Sequence, residues 1–393
     1  MASSERRMRT AGLDGLRAVA ALSVLCLHVW LYTLPNPDRP TRDGFLEYAV
    51  WELRLGLVFF FVLSGYLLYR AFAAAALRRA APVDLAHYAR RRVARIVPAY
   101  YLAVAGSIAL LWGADGTPGV RLPDASALPL FFVFGENYSS ETFMQLNPVM
   151  WTLCLEAAFY LSLPLIGWAA YRFGHGRPRA QAALLLGLVA AGLAYTWVDH
   201  LSGWTGMASK ALFAYLPHFA CGMLVALWAE SRRRRSAPDL SPAATVALVV
   251  GGFALAIGNS VWHTGVAVPT TDTLMGVLGD APAAAGFALV VAAAVAGQGP
   301  ATAWMRARPL AWVGLVSYGV YLWHVPLILF ARANGLLPSG FAPALLVVLP
   351  VVIVVSAASW YLVERPLIER AGRRRVRRPS RGRQGRLEAQ AAP

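Results

Sequence analysis

The sequence predicts an all-α polytopic membrane bundle of about ten transmembrane helices, with both termini cytoplasmic. Three observations carry this reading. Apolar blocks recur along the chain at the length of a bilayer crossing, which needs about 20 mainly apolar residues. Charge is scarce, with 14% charged against 58% hydrophobic residues, whereas soluble domains carry roughly a quarter. Arginine clusters alternate between successive segments that separate the blocks, as the positive-inside rule requires.

The apolar blocks fall at 16–34, 55–72, 95–113, 149–170, 181–198, 210–229, 243–262, 281–297, 311–330 and 342–362. With the N-terminus inside, the inner segments hold Arg6, Arg7 and Arg9, then Arg70, Arg78, Arg79 and the cluster from Arg90 to Arg95, then Arg172, Arg177 and Arg179. Arg232 to Arg235, Arg306, Arg308 and the arginines from Arg365 onward follow on the same side. The outer segments hold just Arg39, Arg42, Arg121 and Arg332. The long outer segment 114–148 carries Asp115, Asp124, Glu136 and Glu141, and its apolar stretch 128–134 is short enough for a re-entrant segment. The chain divides into a cytoplasmic N-terminal segment (1–15), a transmembrane domain (16–366) and a basic cytoplasmic tail (367–393). The tail is rich in Arg, Gly and Pro, and is expected to be disordered and drawn to anionic lipid.

A net charge of +16 suggests nucleic acid at first sight. The basic residues flank apolar blocks, so the partner they imply is the lipid bilayer and no nucleic acid is expected. Lys210 is the one lysine, a usage that points to a GC-rich bacterial genome and a plasma-membrane protein. Cys26, Cys154 and Cys221 lie far apart in apolar blocks, with neither CxxC nor metal-ligand spacing, and no metal is expected. The first block continues as a full span without a small-residue cleavage site, so no cleavable leader is expected.

Ionisable groups at membrane depth are costly and mark function. Arg17, His28, Glu156, Lys210 and His324 are such groups. Arg17 and His28 are eleven residues apart, about three turns, so they share a face roughly 16 Å apart. Arg17 falls near the inner end and His28 in the outer half. Glu156 is roughly 10 Å below the outer end of the fourth span, and His324 roughly 20 Å above the inner end of the ninth. His28, Glu156 and His324 therefore arrive at similar depth from three helices. Lys210, at a span edge, reads as an interface anchor.

These residues sit in recognisable blocks. The sequence LDGLRAVAALSVLCLHVW opens with Arg17 and His28, FFFVLSGY covers 59–66, and RRVARIVPAYY covers 91–101. WTLCLEAAFY at 151–160 holds Glu156, and SYGVYLWHVP at 317–326 and ERP at 364–366 close the series. Together, from Leu13 to Pro366, they resemble the acyltransferase 3 family of multi-pass membrane proteins that acylate sugars, cell-envelope polysaccharides or macrolides. Many members have two adjacent acidic residues in the fourth-span block, whereas Ala157 follows Glu156 here.

The resemblance implies transfer of an acyl group, often acetyl, from acyl-coenzyme A to an acceptor hydroxyl, with the coenzyme as co-substrate and no permanently bound cofactor. It implies donor binding by Arg17, at the inner end of the first span, and by Arg92 and Arg95 on a cytoplasmic loop, with Arg91 beside them. His28 is the candidate general base or acyl-carrying nucleophile, and Glu156 its partner or a contact to the acceptor. Ser64 is a candidate cavity contact, although a Ser–Gly pair also suits close helix packing. Tyr318, Tyr321 and His324, three residues apart in turn, fall on one helix face as further cavity candidates. The rival class is a transporter or flippase that uses the same buried groups as a path. A second membrane O-acyltransferase superfamily places its histidine later in the chain.

Overall fold

The computed structural model describes residues 2–41, 44–203, 207–263 and 272–373, and every regular element in them is helical. Among the described residues, ten helices are long and apolar enough to cross a membrane. The helices that carry them are α1 (Ala2–Thr33), α2 (Leu55–Arg78), α3 (Leu85–Leu111), α4 (Trp151–Phe173), α5 (Pro178–Ser202), α6 (Leu212–Arg234), α7 (Pro242–His263), α8 (Ala281–Ala296, whose crossing begins at Leu274), α9 (Arg308–Ala333) and α10 (Phe341–Ser359). An even number of crossings returns the chain to the side on which it began.

The helices are not equivalent. In α9, 78% of the apolar window is buried inside the protein, against 17% in α5 and 22% in α7 and α10. The first is therefore central, and the other three form the rim that meets lipid. Their outward side chains are apolar, as with Leu186 on α5, Val250 on α7 and Leu346 on α10. Such exposure would be a liability in water and is the expected surface in a bilayer. The centre is built where α1 packs on α9 and α2, and where α2 packs on α6.

Several boundaries differ from the hydropathy blocks for local reasons. Helix α3 begins at Leu85 rather than near residue 95. The Asp84 carboxylate caps it by accepting from His87 N at 3.0 Å, a standard start that satisfies a free N–H. The arginines at 90–95 are therefore on the helix itself, not on a loop. Hydropathy marks where a helix enters lipid, and capping marks where it begins. The stretch 128–134 makes a single helical turn, Pro129–Phe132, which anchors its loop through the buried Phe131. At the N-terminal end, α1 runs unbroken from Ala2, so residues 2–15 are helical and continuous with the first crossing. At the other end, a π-helical turn (Trp360–Glu364) leads into Arg365–Arg373, so the start of the expected tail is helical. The remainder of that tail, 374–393, lies outside the described residues.

Helix α1 approaches α9 backbone to backbone. A Cβ at Gly314 would lie 1.8 Å from the Asp14 carbonyl oxygen. Small residues permit such contacts between membrane helices. Gly314→Ala is expected to cost about 1–3 kcal/mol, the usual cost of overpacking. The readout is a lower thermal-unfolding midpoint in detergent. Gly187→Ala, on lipid-facing α5 with nothing within 4 Å of the added carbon, is the neutral control. Equal midpoints for the two variants would show that α1 has room to move.

Candidate active site

Five helices surround a cavity of about 360 Å³ at the arginine-rich end of the bundle. The periodicity of each helix decides which side chains reach it. Asp14 and Arg17 come from one face of α1, and Arg91, Arg92 and Arg95 from the early turns of α3. Thr152, Glu156 and Tyr160 come from successive turns of α4, and Ser317, Tyr318 and Tyr321 from one face of α9. Helix α2 contributes Phe60 and Ser64. Arg17 has Asp14, Arg95, Glu156 and Tyr160 as its electrostatic neighbours. Five arginines, counting Arg70, face two carboxylates across this space, so it favours an anion.

Ser64 Oγ donates to Glu156 Oε1 at 2.5 Å. Its neighbour Gly65 is the packing residue, since a Cβ there would lie 2.1 Å from the Phe219 carbonyl oxygen on α6. The Ser–Gly pair therefore serves both ends at once. Tyr318 Oη donates to the Ile96 carbonyl at 3.1 Å and ties α9 to α3 beside the arginines. Two groups on the cavity wall, Arg92 Nε and Ser317 Oγ, are buried without a hydrogen-bond partner. Buried polar atoms are normally paired, so these donors are available to a ligand. Glu364, 1% exposed, sits in the π-helical turn, accepts from Ser359 Oγ at 3.2 Å and faces Arg95 and Arg17.

His28 and His324 form a second centre. His28 Nδ1 lies 2.8 Å from the Val24 carbonyl and His324 Nδ1 lies 3.0 Å from the Val320 carbonyl. A carbonyl can only accept, so both Nδ1 atoms carry the proton. His324 Nε2 is then a bare lone pair 3.2 Å from His28 Nδ1, so the one Nδ1–H of His28 is shared between the Val24 carbonyl and, more weakly, His324 Nε2. What remains is His28 Nε2, a lone pair with no hydrogen-bond partner among the described residues. His324 is fully buried and His28 half-buried. Here the structure separates residues that depth along the helix axes had grouped. Glu156 is bonded to Ser64 on the arginine side, and the partners of His28 are Val24 and His324. Lys210 stands apart, with Nζ 4.4 Å above the Trp151 ring and donating to Tyr215 Oη at 3.2 Å.

The model of the acyltransferase domain named acyltransferase 3 matches residues 10–364. The chain belongs to the acyltransferase 3 family. It is similar to "O-acetyltransferase OatA" of Staphylococcus aureus, 26% identical over 389 residues, which takes in 91% of this chain and 57% of the relative. "Putative membrane-bound transacylase BcsY" of Komagataeibacter xylinus is 27% identical over 392 residues, 95% of this chain and 87% of the relative. "Putative peptidoglycan O-acetyltransferase YrhL" of Bacillus subtilis is 24% identical over 369 residues, 91% and 54%. The chain thus spans little more than half the length of OatA and YrhL. No solved structure matches it.

Asp14, Thr152, Tyr160, Ser317 and Glu364 reach or flank the site of this acyltransferase 3 chain without having been singled out. Asp14 lies one turn before Arg17, and Thr152 and Tyr160 one turn either side of Glu156, so helical spacing contains the signal for those three. Ser317 and Glu364 depend on tertiary packing. Nothing in the sequence marks Glu136 among the four acids of its loop. It is 2% exposed and accepts from Tyr100 Oη at 3.0 Å. Asn137 Nδ2 and Asn147 Nδ2 bond the Trp151 and Leu322 carbonyls, at 2.8 and 3.0 Å, and seal the loop to α4 and α9.

Burial pushes the Glu136 carboxyl from its ordinary 4.5 up to about 7, against the opposing pull of Cys154, its own backbone and Tyr100. The folded state therefore holds this proton more tightly than the unfolded chain does. Stability from this group is complete below about pH 4.5 and is lost as pH rises through about 7. Glu136→Gln is expected to remove a decline of about 3 kcal/mol. Thermal midpoints measured from about pH 5 to 8 test it. Parallel slopes for both proteins would show that this carboxyl does not titrate in that range.

Proposed function

We propose that the chain is a membrane O-acyltransferase that moves an acetyl group from acetyl-coenzyme A to a hydroxyl of a carbohydrate acceptor. The observation that carries this is the His28–His324 pair, whose hydrogen bonds leave His28 Nε2 unprotonated and without a partner. The relatives' names support the acetyl group and the carbohydrate class, and nothing among them favours a macrolide.

The arginine-rich end faces the cytoplasm in this reading, by the positive-inside rule. The donor's phosphates meet Arg92 and Arg95 at the mouth with Arg17 deeper, where charge-assisted hydrogen bonds to phosphate are strong. The cavity is at the small end of the usual 300–1,000 Å³ range for ligand pockets, so it takes the arm and thioester while the nucleotide stays at the mouth. Arg17 and His28, roughly 16 Å apart along α1, bracket the extended arm.

In the transfer, His28 Nε2 takes the acceptor hydroxyl's proton as its oxygen bonds the acyl carbon. The carbon–sulfur bond breaks, and the leaving thiolate recovers the proton from His28. The imidazolium formed in between is stabilised through Nδ1–H, which donates to the Val24 carbonyl and to His324 Nε2. Glu156 offsets the positive charge of Arg17 and holds Ser64. A cavity lined by anion-binding donors suits a bound phosphate-bearing co-substrate.

His28→Ala is expected to lower turnover about 10²–10⁴-fold with normal membrane insertion. Release of free thiol from acetyl-coenzyme A by purified protein measures it, and full activity in a folded variant would sink the role. Arg17→Ala is expected to raise the donor KM about tenfold to a hundredfold, the loss of a charged hydrogen bond. An unchanged KM would assign Arg17 to the membrane interface instead.

A further inference from the structure

The cavity and the histidine pair are neighbours that do not connect. Neither His28 nor His324 lines the cavity. The wall between them is aromatic. Tyr321 lines the cavity and its ring centroid is 5.9 Å from that of His324. Phe60 lines the cavity as well and meets Tyr321 edge-on, at 5.7 Å and 77°.

The two rings are held differently. The Tyr321 hydroxyl is 2.8 Å from Thr152 Oγ1 and donates to the Val149 carbonyl at 3.2 Å, which ties it to the start of α4. Tyr321 is also buried. Phe60 has no polar anchor and is half-buried. Turning Phe60 about its side-chain bonds breaks no hydrogen bond, whereas moving Tyr321 breaks its hold on α4. Rotamer changes of this kind are fast compared with turnover.

We propose that Phe60 is a swinging gate against a fixed Tyr321, and that it admits short acyl thioesters from the cavity to His28 while excluding longer ones. This rests on the acyl-transfer reading above. An opening made by one rotated ring is narrow, and the space it leads to is tightly bounded. His324 is fully buried on one side of His28, and the Tyr32 ring stacks on His28 at 6.1 Å on the same helix. An acetyl group needs no room beyond the thioester. Each further methylene must be placed among these rings, and a site can discriminate about tenfold or more per methylene. A side chain that only filled the core would affect stability and leave this selectivity unchanged.

The test uses the full chain in detergent with acetyl-, butanoyl- and hexanoyl-coenzyme A, and follows thiol release for wild type, Phe60→Ala and Phe60→Trp. Phe60→Ala is expected to raise the hexanoyl-to-acetyl rate ratio by about tenfold or more. Phe60→Trp is expected to slow acetyl turnover at an unchanged thermal midpoint. A second readout needs no donor: the rate at which diethyl pyrocarbonate modifies His28, followed by mass spectrometry. It is expected to rise in Phe60→Ala and fall in Phe60→Trp. If thioesters are consumed but neither the ratio nor the labelling follows residue 60, the gate is overturned and the donor reading stands. If no thioester is consumed yet His28 labelling follows residue 60, the gate stands and the coenzyme A reading falls. If neither responds, both are overturned.

Discussion

The contact between α1 and α9 is the constraint on which the candidate chemistry depends. It is fixed at both ends. At the arginine-rich end Gly314 lets α9 rest on the Asp14 carbonyl. At the far end Arg332 on α9 donates to the carbonyls of Tyr32, Leu34 and Pro35, where α1 stops. The last carbonyls of a helix lack partners within it, so one guanidinium both caps α1 and binds it to α9. Between these fixings, His28 meets His324, and Arg17 and Tyr318 turn toward a shared cavity. A small slip between the two helices would separate the imidazoles, whose bond is already 3.2 Å long.

The bilayer supplies the second constraint. A lipid-facing charge is expensive, so ionisable groups on the spans must gather inward. The central helices carry them, and the rim helices α5, α7 and α10 present apolar side chains. This sorting explains how a protein with a large arginine excess can place Arg17 inside the bundle. Asp14 and Glu156 moderate the field of the arginines, and Glu364 comes in from the π-helical turn to face Arg95. Such turns are often found at functional sites. Here the extra residue in the turn accompanies the placement of a carboxylate beside Arg95 and Arg17.

The ten crossings are legible in the sequence because lipid imposes both length and hydropathy on each one. Position along a helix is legible too, because the rise per residue is constant. That is why His28 and His324 can be placed at similar depth before any packing is known. The direction each side chain faces across the bundle is set by which helices touch, and composition does not encode that. Glu156 shares the depth of His28 but turns to Ser64 and the arginines. Asp84 is a residue type that favours helix starts, yet hydropathy hides the cap, because the turns that follow it are rich in arginine. The burial of Glu136 was not readable. It comes from a loop folding back onto Tyr100, a contact between segments 36 residues apart.

The single carboxylate in the fourth-span block fits this division of labour. Where a base is activated by an acid beside it, a second carboxylate would be needed once the first is committed to the arginines. Here the histidine is served from another helix. His324 accepts from His28 Nδ1–H and, being neutral, leaves the lone pair on Nε2 in place. A carboxylate at that point would hold the imidazole more strongly, but it would also put a bare negative charge in the middle of the membrane. A neutral imidazole costs less to bury and would still spread the charge formed on His28 in the proposed transfer. Ala157 therefore removes nothing that the pair requires. In the proposed scheme Glu156 balances the cavity, in which five arginines would otherwise repel one another, and the candidate base stands apart from it beside His324.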